Sequence, residues 1–199
     1  YALYLAAKNN NIDIVNLLLS QDDIEIVDNS FFECNQIKQI SIPNFITKIG
    51  ARAFEGCSSL AKIYIPSCIT SIGTSAFRSC SLLTEITIPS SLQSLESYSF
   101  RGCSLLREIK FPETVKIQEI KEHTFEKCTS LTTISIPQSV RKIGKYSFKD
   151  CSALTELELP SSLNAIGICA FDGCQMLKQM AIPSSVTNIE SSAFGNCSS

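Results

Sequence analysis

Ten cysteines and one histidine carry the strongest nucleophilic and metal-ligating chemistry in this 199-residue chain. Their spacing decides which chemistry is open to them. Cys34, Cys57, Cys80, Cys103, Cys128, Cys151, Cys174 and Cys197 recur every 23 residues, with one interval, Cys103 to Cys128, lengthened to 25. A structural zinc site gathers close ligand pairs such as C-x-x-C. The sequence has none, and its nearest pair, Cys169 and Cys174, has no second pair to complete a tetrahedron, so no metal ligands are assigned. Thiols repeated in stacked coils lie parallel about 4.8 Å apart, whereas a disulfide wants Cβ atoms about 3.8 Å apart and a dihedral near 90°. The ladder is therefore read as small apolar filling. Cys68 and Cys169 fall outside it and are read as exposed free thiols.

His123 precedes Cys128 by five residues. A Cys–His nucleophile needs its base within hydrogen-bond reach, and these two fall in different columns of the repeat. Phosphate-binding glycine loops and the G-x-S-x-G elbow are missing, and the carboxylates scatter over variable positions. No catalytic residue and no cofactor is assigned, and the chain is read as a non-enzyme.

The elements that hold these residues repeat with them. Pro43, Pro66, Pro89, Pro112, Pro137, Pro160 and Pro183 keep the same beat, as do Phe54, Phe77, Phe100, Phe125, Phe148, Phe171 and Phe194, each three residues before a cysteine. Two residues are inserted between Pro112 and Phe125. The unit reads L-x-x-I-x-I-P-x-x-V-x-x-I-G-x-x-A-F-x-x-C-x-x. Its opening alternates apolar and polar and is rich in β-branched residues, which predicts a short strand ended by proline. A second extended piece follows, then a short helical or 3-10 turn carrying Phe and Cys. The position held by Gly50, Gly73, Gly144 and Gly167 is Glu96, Lys121 and Glu190 in other units, so extended rather than left-handed backbone is expected there. One such unit cannot enclose a core, and neighbours must stack. The predicted fold is an α/β solenoid of parallel strands.

Strand alternation turns the Leu-x-x-Ile-x-Ile side chains inward and leaves a variable outer face. Lys62, Glu85, Glu108, Thr133, Glu156 and Gln179 form one of its columns, Tyr64, Thr87, Lys110 and Glu158 another, and Arg107 belongs to a third. Lys62, Tyr64, Glu85, Thr87, Arg107, Glu108, Lys110, Glu156 and Glu158 are taken as the partner-binding face. Mixed charge with an aromatic residue favours a protein partner. Tyr98, His123 and Tyr146 fall in one column of three successive units and are taken as an aromatic edge, the alternative contact site. Seventeen Lys and Arg against nineteen Asp and Glu, with no basic block, leave no footprint for nucleic acid. Every apolar run is too short to span a membrane, so no membrane insertion is expected in this stretch.

The unit, seen in Ile136-Pro137-Gln138-Ser139-Val140 through Phe148-Lys149-Asp150-Cys151, resembles the BspA-like leucine-rich repeats. The resemblance implies a right-handed solenoid used for protein binding, in a family that includes surface antigens and adhesins binding host matrix proteins. Residues 1–29 differ: Ala2 to Leu19 looks like an ankyrin repeat, two helices joined at Asn9 to Asn11, with Ile12, Val15, Leu18 and Leu19 at helical spacing. The expected organisation is an ankyrin-like cap over 1–29 and about seven repeats over 30–199. Tyr1 at the start, and an end inside a repeat, mark a piece of a longer chain. The ankyrin likeness and unpaired thiols point to the cytoplasm, with the cell surface as the alternative.

Overall fold

A computed structural model describes residues 1–178 and 180–197; Gln179 of the predicted strand face lies outside the described residues. Each of the first six repeats contributes two short strands and the last contributes one among the described residues; equivalent strands pair in parallel between most neighbouring coils. The first ribbon is made by Gln39–Ser41, Lys62–Tyr64, Glu85–Thr87, Glu108–Lys110, Thr133–Ser135 and Glu156–Glu158. The second is made by Lys48–Ile49, Ser71–Ile72, Ser94–Leu95, Glu119–Ile120, Lys142–Ile143, Ala165–Ile166 and Asn188–Ile189. Register follows the sequence period, with Ile40 opposite Ile63, Ile86 opposite Ile109 and Ile134 opposite Leu157.

The two inserted residues disturb only one ribbon. Glu108 still pairs with Thr133 across the longer interval, so the first ribbon continues. The second ribbon breaks between Ser94–Leu95 and Glu119–Ile120, where Lys116 and Ile117 add length just ahead of the strand. Ile117 turns into the core and is 2% exposed, while the Ser139 hydroxyl donates to the carbonyls of Val115 and Ile117 at 2.9 and 2.8 Å.

The segment expected to be a short helical or 3-10 turn is a run of turns whose backbone N–H groups alternate between two uses. Ala53, Glu55 and Cys57 donate to carbonyls three residues back in their own coil, while Arg52, Phe54 and Gly56 donate to Thr74, Ala76 and Arg78 of the next. No helix appears there among the described residues, because half of the donors are committed to the neighbouring coil. Two positions per turn adopt positive φ: Arg52, Ser75, Tyr98, His123, Tyr146, Cys169 and Ser192 at 50–63°, and Gly56, Ser79, Gly102, Lys127, Asp150, Gly173 and Asn196 four residues later. As expected, the backbone at Gly50, Gly73, Gly144 and Gly167 is not left-handed. Glycine is favoured there by close approach: a Cβ on Gly73 would lie 2.7 Å from the Ala51 amide nitrogen.

The core is a set of rows. Phe31 and the seven repeat phenylalanines stack with ring centroids 4.8–5.7 Å apart, the widest step, Phe100 to Phe125, spanning the insertion. Cys57, Cys80, Cys103, Cys128, Cys151 and Cys174 are buried, and each thiol donates to the carbonyl of a phenylalanine in the preceding coil at 3.0–3.2 Å. All ten thiols are free.

Two helices open the chain, α1 (Ala2–Lys8) and α2 (Ile12–Leu19), the second capped by Asn11, whose side chain accepts the Ile14 N–H at 3.2 Å. Leu3, Ala6, Ala7, Val15 and Leu19 are buried in the same core as Ile26 and Phe31. Of the apolar face expected on α2, Ile12 stands exposed and Leu18 is half-buried. Ile26 bridges in parallel to Ile49, extending the second ribbon toward the helices.

Candidate functional site

Where strands are three residues long, burial alternates outward, inward, outward, and the inward members form the core. All nine residues assigned to the partner-binding face are exposed. The ribbon surface is hollowed at two places. A hollow of about 590 Å³ gathers Glu108, Lys110, Glu156 and Glu158 around Thr133 and Ser135. A second, of about 480 Å³, gathers Tyr64, Glu85 and Thr87 where Lys62–Tyr64 and Glu85–Thr87 are not hydrogen-bonded to one another. Lys62 and Arg107 line neither.

Lys110 pairs with Glu108 at 3.2 Å. No ion pair engages Glu85, Glu156 or Glu158 among the described residues. Tyr64 is 62% exposed and contributes a large apolar surface with a polar tip, which suits a protein contact.

Tyr98, His123 and Tyr146 come together as a stack, with ring centroids 4.6 and 4.8 Å apart. Most of this edge is spent internally. His123 Nδ1 lies 2.5 Å from Glu126 Oε2, the Arg101 Nε donates to the same oxygen at 2.6 Å, and the Tyr98 hydroxyl reaches Glu122 at 3.5 Å. The Arg101 guanidinium lies 6.0 Å from the Tyr98 ring and the Lys149 ammonium 5.9 Å from the Tyr146 ring. Burial alone would raise the Glu126 carboxyl; hydrogen bonds from Arg101 and His123 outweigh it and hold the group below its ordinary value.

These contacts belong to a charged column, Glu55, Arg78, Arg101, Glu126, Lys149 and Asp172, each directly after a row phenylalanine. Opposite signs meet between coils: Arg78 with Glu55 at 3.4 Å, Arg101 with Glu126, and Lys149 with Asp172. Sequence reading missed this column, although opposite charges at intervals of 23 and 25 residues signal it.

The thiols are poor nucleophiles where they stand. Burial pushes Cys57, Cys103 and Cys174 up to about 12 and Cys80, Cys128 and Cys151 well above the ordinary thiol value, which keeps the attacking thiolate scarce. Cys68 and Cys169, read from sequence as exposed, are half-buried instead. The Cys68 thiol donates to the Ile46 carbonyl at 3.0 Å, the role that the Ser91, Ser162 and Ser185 hydroxyls play in other coils. No group of three or more His, Cys, Asp and Glu with metal-binding geometry occurs among the described residues. No helix among them is long and apolar enough to cross a membrane.

The BspA type leucine rich repeat region, in six copies, matches residues 7–118 and 76–199. A leucine-rich repeat protein from T. pallidum superposes with a TM-score of 0.75 at 28% identity, over 83% of this chain and 77% of its own. One from Eubacterium ventriosum gives 0.74 at 29%, over 81% of this chain and 43% of its own. The pneumococcal vaccine antigen PcpA gives 0.53 at 25%, over 83% of this chain and 49% of its own. The chain thus spans less than half the length of the last two. No match is found among the curated proteins.

Proposed function

The chain belongs to the BspA-type leucine-rich repeat family, a family of repeat scaffolds, and from that footing we propose that it binds a protein partner through its first-ribbon face and performs no chemistry of its own. The observation that carries this reading is the separation of the two kinds of residue. Repeating Phe, Cys, Leu and Ile are consumed by the core rows, whereas the variable residues Lys62, Tyr64, Glu85, Thr87, Arg107, Glu108, Lys110, Glu156 and Glu158 project from an extended, hollowed surface. Charged and aromatic groups on a rigid face give orientation and specificity to a docking protein. The absence of an enzymatic role rests on the state of the reactive groups: the ladder thiols are buried, and His123 is engaged by Glu126.

A photo-reactive side chain placed at Tyr64, Thr87 or Lys110, and for comparison at Thr74, Lys127 or Lys145 on the turns, tests the reading in cells that express the protein. Adducts with one partner concentrated at the ribbon positions support it. Adducts of equal yield from the turn positions contradict it.

A second reading, a surface-displayed antigen or adhesin binding host matrix proteins, draws support from the likeness to PcpA. Protease treatment of intact cells separates the two. Loss of the native protein without permeabilisation supports surface display, and full protection contradicts it.

A further inference from the structure

A second surface, away from the first ribbon, is hollowed and lined by residues of different chemistry. In most coils the residue ahead of the second strand is tied to the coil before it. Thr70, Gln93, Arg141, Asn164 and Thr187 donate their N–H groups to the carbonyls of Thr47, Thr70, Gln118, Arg141 and Asn164 at 2.8–3.0 Å. Thr47 makes no such bond among the described residues, so the ladder opens between residues 22–25 and the coil above.

One side of this opening is clamped. Gly50 donates to the Ile26 carbonyl at 2.8 Å, the Asp28 carboxylate accepts the Ala51 N–H at 2.7 Å, and a Cβ on Gly50 would strike the Asp28 amide nitrogen at 2.4 Å. Beyond the clamp lies a cleft of about 690 Å³. Buried Ile26 and Ile46 line it, together with Val27 and Phe45, which remain 46% and 39% exposed. Asp22, Asp23 and Glu25 line it as well, and no ion pair or hydrogen bond engages their side chains among the described residues. Lys48 is the only basic lining group.

We infer that this cleft is a docking site for a linear basic segment of a partner protein, which seats one large apolar side chain against Val27 and Phe45 while flanking Lys or Arg residues meet Asp22, Asp23 and Glu25. Apolar surface left open inside an acidic rim selects for that combination. A neutral apolar segment leaves the carboxylates unpaired, and a purely basic one leaves Phe45 and Val27 in water. The site is independent of the partner face on the first ribbon, so either can fail without the other.

The probe is a short fluorescent peptide of Lys and Arg around a central Leu-Phe pair, followed by anisotropy against the whole chain, with its all-Glu counterpart as the control. The basic peptide is expected to bind, and to bind less tightly as salt rises. Asp22→Asn/Asp23→Asn/Glu25→Gln and, separately, Phe45→Ser are each expected to weaken binding about tenfold. Glu156→Gln/Glu158→Gln, on the first ribbon, should leave it within about twofold. All of these positions are exposed, and an unchanged unfolding midpoint verifies that each variant folds. No binding, equal loss in the first-ribbon variant, or loss in the carboxylate variant with none in Phe45→Ser would overturn the inference. So would saturation by calcium ions that displaces the peptide regardless of Phe45, which would mark a cation site.

Discussion

A single side chain in this molecule acts through the copies of itself above and below. Phe148 stacks on Phe125 at 5.3 Å and on Phe171 at 5.2 Å with no exposure to water, so Phe148→Ala opens a cavity shared by three coils. The expected cost is about 3–5 kcal/mol in denaturant unfolding; a loss below about 1 kcal/mol would mean the row is not core. The thiol row gives a chemical readout. At pH 8 without reductant, the half-buried Cys68, Cys169 and Cys197 should label first, and the buried row only on unfolding. Raised thiol values also fix a pH direction. The folded chain keeps its protons where the unfolded chain has lost them, so this contribution is full below the ordinary thiol value of about 9 and falls away as pH climbs toward 12. Carboxyls go the other way. The Lys149 hydrogen bond holds Asp172 below its ordinary value, and Arg101 and His123 do the same for Glu126 against its burial, so their stabilisation is complete above the unfolded carboxyl range and is lost on acidification. Phe and Cys rows were legible in the sequence because identity recurs at a fixed interval. The Arg101–Glu126 and Lys149–Asp172 pairs were not, because a column of mixed sign holds no single residue type in common.

The turn is the least legible of the elements. Gly56, Gly102 and Gly173 stand at positive φ, but Ser79, Lys127, Asp150 and Asn196 share their column and their backbone, so the glycine signal is diluted. Attention to the more regular column of Gly50, Gly73, Gly144 and Gly167 leads instead to a position whose constraint is steric contact between coils. The left-handed column makes its own prediction. Gly102→Ala forces a Cβ into φ +74° and should cost about 1 kcal/mol, whereas Lys127→Gly relieves a comparable strain and should be neutral or stabilising. Paired unfolding midpoints verify this; the opposite order would show that the backbone tolerates these angles for other reasons. Strand columns, by contrast, were legible, because β-branched alternation ending in proline aligns equivalent residues when coils stack; the unpaired step between Lys62–Tyr64 and Glu85–Thr87 and the break at the insertion were not.

At the scale of the molecule, the helices and coils share one core, with Leu3, Val15 and Leu19 continuous with Ile26 and Phe31. Leu19→Ala is therefore expected to lower the stability of the whole by about 2–5 kcal/mol in one cooperative transition. A separate, earlier melting of residues 1–20 would contradict that continuity. Stacking was legible from the period alone. The opening beside Thr47 was not, since it depends on how residues 22–28, which differ in sequence from the later units, meet the first coil. The proposed function rests on a division between rows that hold the fold and a first-ribbon face that would dock a partner. Its most direct test is the affinity of the cross-linked partner for two variants of equal stability, Tyr64→Ala/Glu156→Lys/Glu158→Lys on the first ribbon and Tyr98→Ala/Tyr146→Ala on the aromatic edge. A loss of about tenfold or more in the first with the second within about twofold is predicted; the reverse pattern would contradict it.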